Sequence, residues 1–198
     1  MEELGTPKSS KFNALMLWGL CVAVLLGPSV LVWTVRGAAY AANCAPGPQL
    51  CQGMPLGGGL RDALDLAWSI DTNMTILIGG SIIATLAAFF ARKPMLGTLS
   101  LLLLPILSPV LPMLAVLASR YPDCPVSTDG IGSCLLWGSQ MGMTFHTAAG
   151  VQDIIYAMFP YTFSLTLMLG LLGWFFARPR EHAPPHAMAQ MRRMIDDE

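Results

Sequence analysis

The chain has 198 residues, of which 54% are hydrophobic and only 12% charged, and it carries a net charge of -1. An ordinary soluble domain is about one quarter charged, so this composition cannot clothe a water-facing surface. The neutral balance also excludes a nucleic-acid binder, which needs a basic patch to neutralise phosphates. The partner it demands is a lipid bilayer.

Residues 1–12 form a short polar start with Lys8 and Lys11. The first apolar run follows over 13–35, from Asn13 to Val35. The two lysines before it and Ala38-Ala39-Tyr40-Ala41 after it resemble a signal peptide. A signal's apolar region is about 7–15 residues, shorter than this run, so a retained span is expected. Gly19, Ala23 and Gly27 recur at every fourth position of it and form a small-residue stripe.

Residues 36–72 are the first long polar stretch. It holds Cys44 and Cys51 among prolines and glycines, which permit the tight reversals a disulfide needs. Its second half, Leu60 to Ile70, puts Leu60, Leu64, Ala67 and Trp68 on one helical face with Asp62 and Asp65 elsewhere. An interfacial helix lying on the outer membrane surface is expected there. The second apolar run covers 73–91 and carries its own stripe, Gly80, Ala84 and Ala88. Small residues at this interval let helix backbones approach closely, within the chain or with a partner.

Arg92, Lys93 and Pro94 leave almost no connection to the third run, 95–119, so the second and third runs must be antiparallel neighbours. Pro105, Pro109 and Pro112 remove backbone donors from the third and should bend or locally unwind it. A second polar stretch, 120–153, contains Cys124 and Cys134 and then Met141, Met143 and His146. Thioether and imidazole ligands suit copper(I), because soft sulfur selects a soft ion. The alternative is a segment lying against the headgroups. The fourth run occupies 154–177, and 178–198 is a tail whose Met188, Met191, Met194 and Ile195 share one helical face after Pro184-Pro185. That pattern reads as an amphipathic docking helix. His182 and His186 with the tail methionines form a second cluster of soft ligands.

Each run is close to the roughly 20 residues a helix needs to cross a hydrocarbon core of about 30 Å. None contains Asp, Glu, Lys, Arg or His. Open backbone is untenable in lipid, so all four should be helical. The expected fold class is an all-α membrane protein of four transmembrane helices with cytoplasmic N- and C-termini and two disulfide-containing outer loops. Two unrelated arguments fix that orientation. Disulfides persist only in an oxidising compartment, which puts both loops outside. Lys8, Lys11, Arg92, Lys93, Arg178, Arg180, Arg192 and Arg193 then lie inside against Arg36, Arg61 and Arg120 outside, as the positive-inside rule requires. The compartment this suggests is a bacterial inner membrane with periplasmic loops.

The endings FFARKP, Phe89 to Pro94, and FFARPR, Phe175 to Arg180, follow a cysteine-pair loop and a tryptophan segment in each half. A two-hairpin repeat would produce this, and so would the common preference of Phe, Trp and Arg for membrane interfaces. The four cysteines allow three pairings, one of them local within each loop. Four helices with a cysteine pair in each outer loop resemble, in topology, the membrane proteins that reoxidise periplasmic disulfide carriers with a quinone. Those proteins carry Cys-x-x-Cys in the first loop, whereas Cys44 and Cys51 are separated by six residues. The spans hold hydroxyls and one thiol, Cys21, but no charge to carry ions or protons, and only His146 of the three histidines lies near a span, which argues against a bis-His haem.

No catalytic constellation stands out. By elimination the expected role is a non-catalytic multi-pass subunit of a larger cell-envelope complex, a secretion or conjugation apparatus or an energy-transducing assembly, with other membrane-protein subunits as partners. A thiol-disulfide oxidoreductase using the loop cysteines, and a channel or copper transporter, are the alternatives. The sequence names no cofactor.

Overall fold

The computed structural model describes residues 8–119, 121 and 123–176. In chain order they form α1 (Lys8–Ala41), α2 (Leu56–Thr72), α3 (Met74–Phe90), α4 (Pro94–Leu117), β1 (Leu135–Leu136), β2 (Ser139–Gln140) and α5 (Gly142–Phe176). The protein is mostly helical. Helices α1, α4 and α5 are each long and apolar enough to cross a membrane, and α2 with α3, bent by 77° where they join, is a broken span or a re-entrant loop, which makes three or four candidate spans among the described residues. The tail over 178–198, with its methionine and histidine cluster, lies outside the described residues.

Local chemistry sets each boundary. At the end of α3 the amide of Lys93 donates to Ala88 O and that of Arg92 to Phe89 O, each over 2.9 Å. This pair of bonds is a Schellman motif, with Arg92 in the left-handed position at φ 58°. Pro94 then opens α4, where its missing N–H is no loss. The same motif closes α1, where Cys44 N bonds Ala39 O and Asn43 N bonds Tyr40 O, with Asn43 at φ 52°. It leads Cys44 off the helix toward Cys51. Between α2 and α3 the Asn73 side chain accepts from Ile76 N at 3.3 Å and caps the new helix.

Helices α1 and α4 run parallel and are joined along their length. Trp18 Nε1 donates to Ser100 Oγ, Ser29 Oγ to Ser108 O, Trp33 Nε1 to Leu111 O, and Arg36 to Ala118 O. The prolines explain one acceptor: Pro112 has no N–H, so the Ser108 carbonyl is free to receive the Ser29 hydroxyl. Arg36 does the same for the C-terminal end of α4, at 2.6 Å, with its guanidinium over the Trp33 ring. Helix α3 packs on both α1 and α4, and α5 packs on α4.

Two apolar clusters result. One joins α1, α2 and α4 to both cysteine loops through Val32, Leu64, Trp68, Val116, Leu136, Trp137 and Phe145. The other joins Leu25, Leu77, Ala84, Leu104 and Met158 of α1, α3, α4 and α5. The two halves of the chain agree in helix direction but not in design. The first has a 17-residue helix in its loop and a 17-residue return, and the second a short hairpin and a 35-residue return.

Candidate functional site

The cysteines pair locally. Cys44 lies 5.5 Å from Cys51 and Cys124 lies 5.1 Å from Cys134 between Cα atoms, both within disulfide reach. Cys51, Cys124 and Cys134 are buried in the same cluster. A two-residue turn holds the loops together: Trp137 at φ 48° and Gly138 at φ 79° make the type I′ geometry that joins β1 to β2. From that turn Trp137 N donates to Gly47 O at 2.6 Å and its indole to Ala45 O at 3.0 Å. Gly57 of α2 lies so close below that an added Cβ would run into the Leu136 carbonyl. Reactive cysteines are partly exposed in electropositive surroundings. These are enclosed by Leu, Val, Trp and Phe, an environment that suits braces.

The copper candidates face different surroundings. Met141 is 1% exposed in the apolar cluster and Met143 is 57% exposed. The His146 ring is hydrogen-bonded to the Ser127 carbonyl at 3.2 Å. The small-residue stripes also part company. Ala84 and Ala88 are fully buried, and Gly80 sits against Leu25, where a Cβ would come within 3.2 Å of the leucine methyl. Ala23 is exposed, and nothing lies within 4 Å of a Cβ placed at Gly19 or Gly27.

The polar centre of the bundle is a residue the four runs leave out. Asp71 stands near the end of α2 and is 1% exposed. Its Oδ1 lies 2.5 Å from Ser108 Oγ, which is also 2.8 Å from Leu25 O. Among the described residues its Oδ2 has no partner, and neither has Nε1 of Trp68, 4% exposed and three residues earlier on the same helix. Ser108 is about 21 Å along α4 from its start at Pro94, so this node lies in the second half of that helix. The signal was present in sequence. Positions 60, 64, 67, 68 and 71 share one helical face, and the last of them carries a carboxyl.

Helix α2 is therefore more than a surface helix. It buries Leu60, Ala63, Leu64, Ala67, Trp68 and Asp71, while Arg61, Asp62 and Asp65 stay exposed. Helices α3 and α5 leave between them a groove of about 250 Å³ lined by Leu101 and Pro105 of α4 and by Met74, Ser81, Met158 and Thr162. Ser81 and Thr162 turn their hydroxyls back on their own helices, to Leu77 O and Met158 O. The groove thus offers an apolar lining.

No protein-family model matches the chain, and neither a curated protein nor a solved structure matches it.

Proposed function

We propose that the chain is an integral protein of a bacterial inner membrane, with both termini in the cytoplasm and both cysteine loops in the periplasm, acting as a non-catalytic subunit of a larger envelope complex. The apolar helices, the distribution of Lys and Arg, and the two cysteine pairs support the membrane and its orientation.

One observation carries the subunit role. Helix α5 has 35 residues, about 52 Å at 1.5 Å each, yet from Phe163 to Gly173 none of its side chains is buried. Helix α1 is similar, with no described side chain buried from Phe12 to Val24. A bundle that was complete in itself would pack its helices along their length, since association in lipid comes from close packing. Over these stretches both helices carry exposed apolar side chains, and the stripe Gly19, Ala23 and Gly27, with nothing packed on its two glycines, is on one of them.

The test is a photo-crosslinking amino acid at Phe163 or Leu171, 48% and 56% exposed, in intact membranes. A protein adduct of one defined mass, recovered at a stoichiometric level after mild detergent extraction, is the expected outcome. Adducts with lipid alone would overturn the subunit reading. A reporter fused after Glu198 should be active only in the cytoplasm.

A further inference from the structure

We propose that Asp71 is a proton-binding site inside the helix bundle, a neutral carboxylic acid whose acidic hydrogen lies on Ser108. The geometry around Ser108 Oγ carries this. Two oxygens lie within bonding distance of that hydroxyl, Asp71 Oδ1 and Leu25 O. Ser108 owns a single hydroxyl hydrogen, so the two contacts are either one hydrogen shared between two acceptors or two full hydrogen bonds, and the second arrangement requires Asp71 to supply the other hydrogen. The chain then runs from Asp71 Oδ1–H to Ser108 Oγ, and from Ser108 Oγ–H to Leu25 O.

Among the described residues the surroundings supply no counter-charge. Helices α3 and α4 contain no Asp, Glu, Lys, Arg or His. On α2 itself Arg61, Asp62 and Asp65 are exposed, away from the buried face. On α1 the Arg36 guanidinium is committed to Ala118 O, and Cys21, one turn before Leu25 and packed on the same cluster, is a thiol and no cation. On α5 Asp153 is exposed, while Ile154 and Met158 are the residues packed inward. An ionised carboxylate here would leave Oδ2 charged, buried and unpaired. A divalent ion would replace that with an excess positive charge, whereas one proton leaves the site neutral.

Release is a simple transfer. The Oδ1–H bond of Asp71 breaks, water accepts the proton as hydronium, and the Ser108 hydroxyl turns its hydrogen from Leu25 O to the new carboxylate. The break between α2 and α3 at Asn73, two residues from Asp71, is where the backbone next to the site is already non-helical. Irregular backbone of this kind recurs beside ion and proton sites in membrane proteins. The carboxyl's state does not depend on whether the chain has protein partners.

Infrared spectroscopy of the full chain in lipid vesicles reads the state directly. At neutral pH a carbonyl-stretch band of a protonated carboxyl is expected, moved by isotope-labelled aspartate and lost in Asp71→Asn. Ser108→Ala should keep the band and shift it to higher frequency, because the acid loses its acceptor. No isotope-sensitive protonated-carboxyl band in the unmodified chain at neutral pH would overturn the proposal, and so would a band unchanged in Asp71→Asn. A Ser108→Ala band with no shift would overturn the assignment of the proton to the Ser108 contact.

Discussion

The indole of Trp137 donates to the carbonyl of Ala45 over 3.0 Å, across 92 positions of sequence, and so ties one cysteine loop to the other. The backbone amide of the same residue reaches Gly47 O. A single side chain in a two-residue turn thereby locks the two polar stretches into one body. Trp137→Phe keeps most of the ring and removes the side-chain bond. Its expected cost is about 1 kcal/mol, read as a lower midpoint in thermal unfolding of the detergent-solubilised protein.

Close approach separates two glycines that look alike in sequence. Gly57→Ala drives a methyl into the rigid backbone carbonyl of Leu136, and overpacking of that kind costs roughly 1–3 kcal/mol. Gly80→Ala meets only the end of the Leu25 side chain, at 3.2 Å, which can turn aside. Thermal unfolding should rank Gly57→Ala well below Gly80→Ala, and equal midpoints would contradict the packing of α2 beneath the hairpin.

The cysteine pairs close short loops, with separations of 7 and 10 residues. Loop-closure entropy gives each about 2 to 3 kcal/mol. Cys44→Ser with Cys51→Ser should lower the unfolding midpoint as much as a reductant lowers that bond's share in the unmodified protein. Disulfide formation in other envelope proteins of the same cells should be unchanged. A loss there with unaltered abundance of this chain would favour exchange chemistry instead.

Trp68 offers a near-cancellation. Its Nε1 is buried without an acceptor, so Trp68→Phe removes an unmet donor along with part of the ring. The two effects offset, and the expected change is within about 1 kcal/mol, much milder than aromatic truncation to alanine at about 3–5 kcal/mol. Side-by-side melts of the Phe and Ala variants at this position check it.

Period and composition were enough to read the helices from sequence, because an apolar run in a chain this poor in charge has one stable form. Local pairing of Cys44 with Cys51 and of Cys124 with Cys134 was one of three options and needed coordinates. The hairpin at Trp137-Gly138 escaped notice because Trp replaces the Asn or Asp usual in that turn. Helix α5 begins at Gly142, well before the apolar run at Ile154, since Met141, Phe145, Ala148 and Val151 bury a helical stripe between polar residues. Asp71 was passed over for a related reason. A search for charge inside apolar runs stops at Asn73, while the bend at that residue brings the end of α2 back into the bundle.

The parallel seam between α1 and α4 has a consequence for biosynthesis. Trp18, Ser29, Trp33 and Arg36 find their acceptors 82, 79, 78 and 82 residues further on. While the ribosome is still making the first half, those four donors have no mate within the nascent chain. A polypeptide halted after Arg92 should therefore be held by insertion chaperones or destroyed by membrane proteases, and co-expressing the remainder as a separate fragment should rescue it.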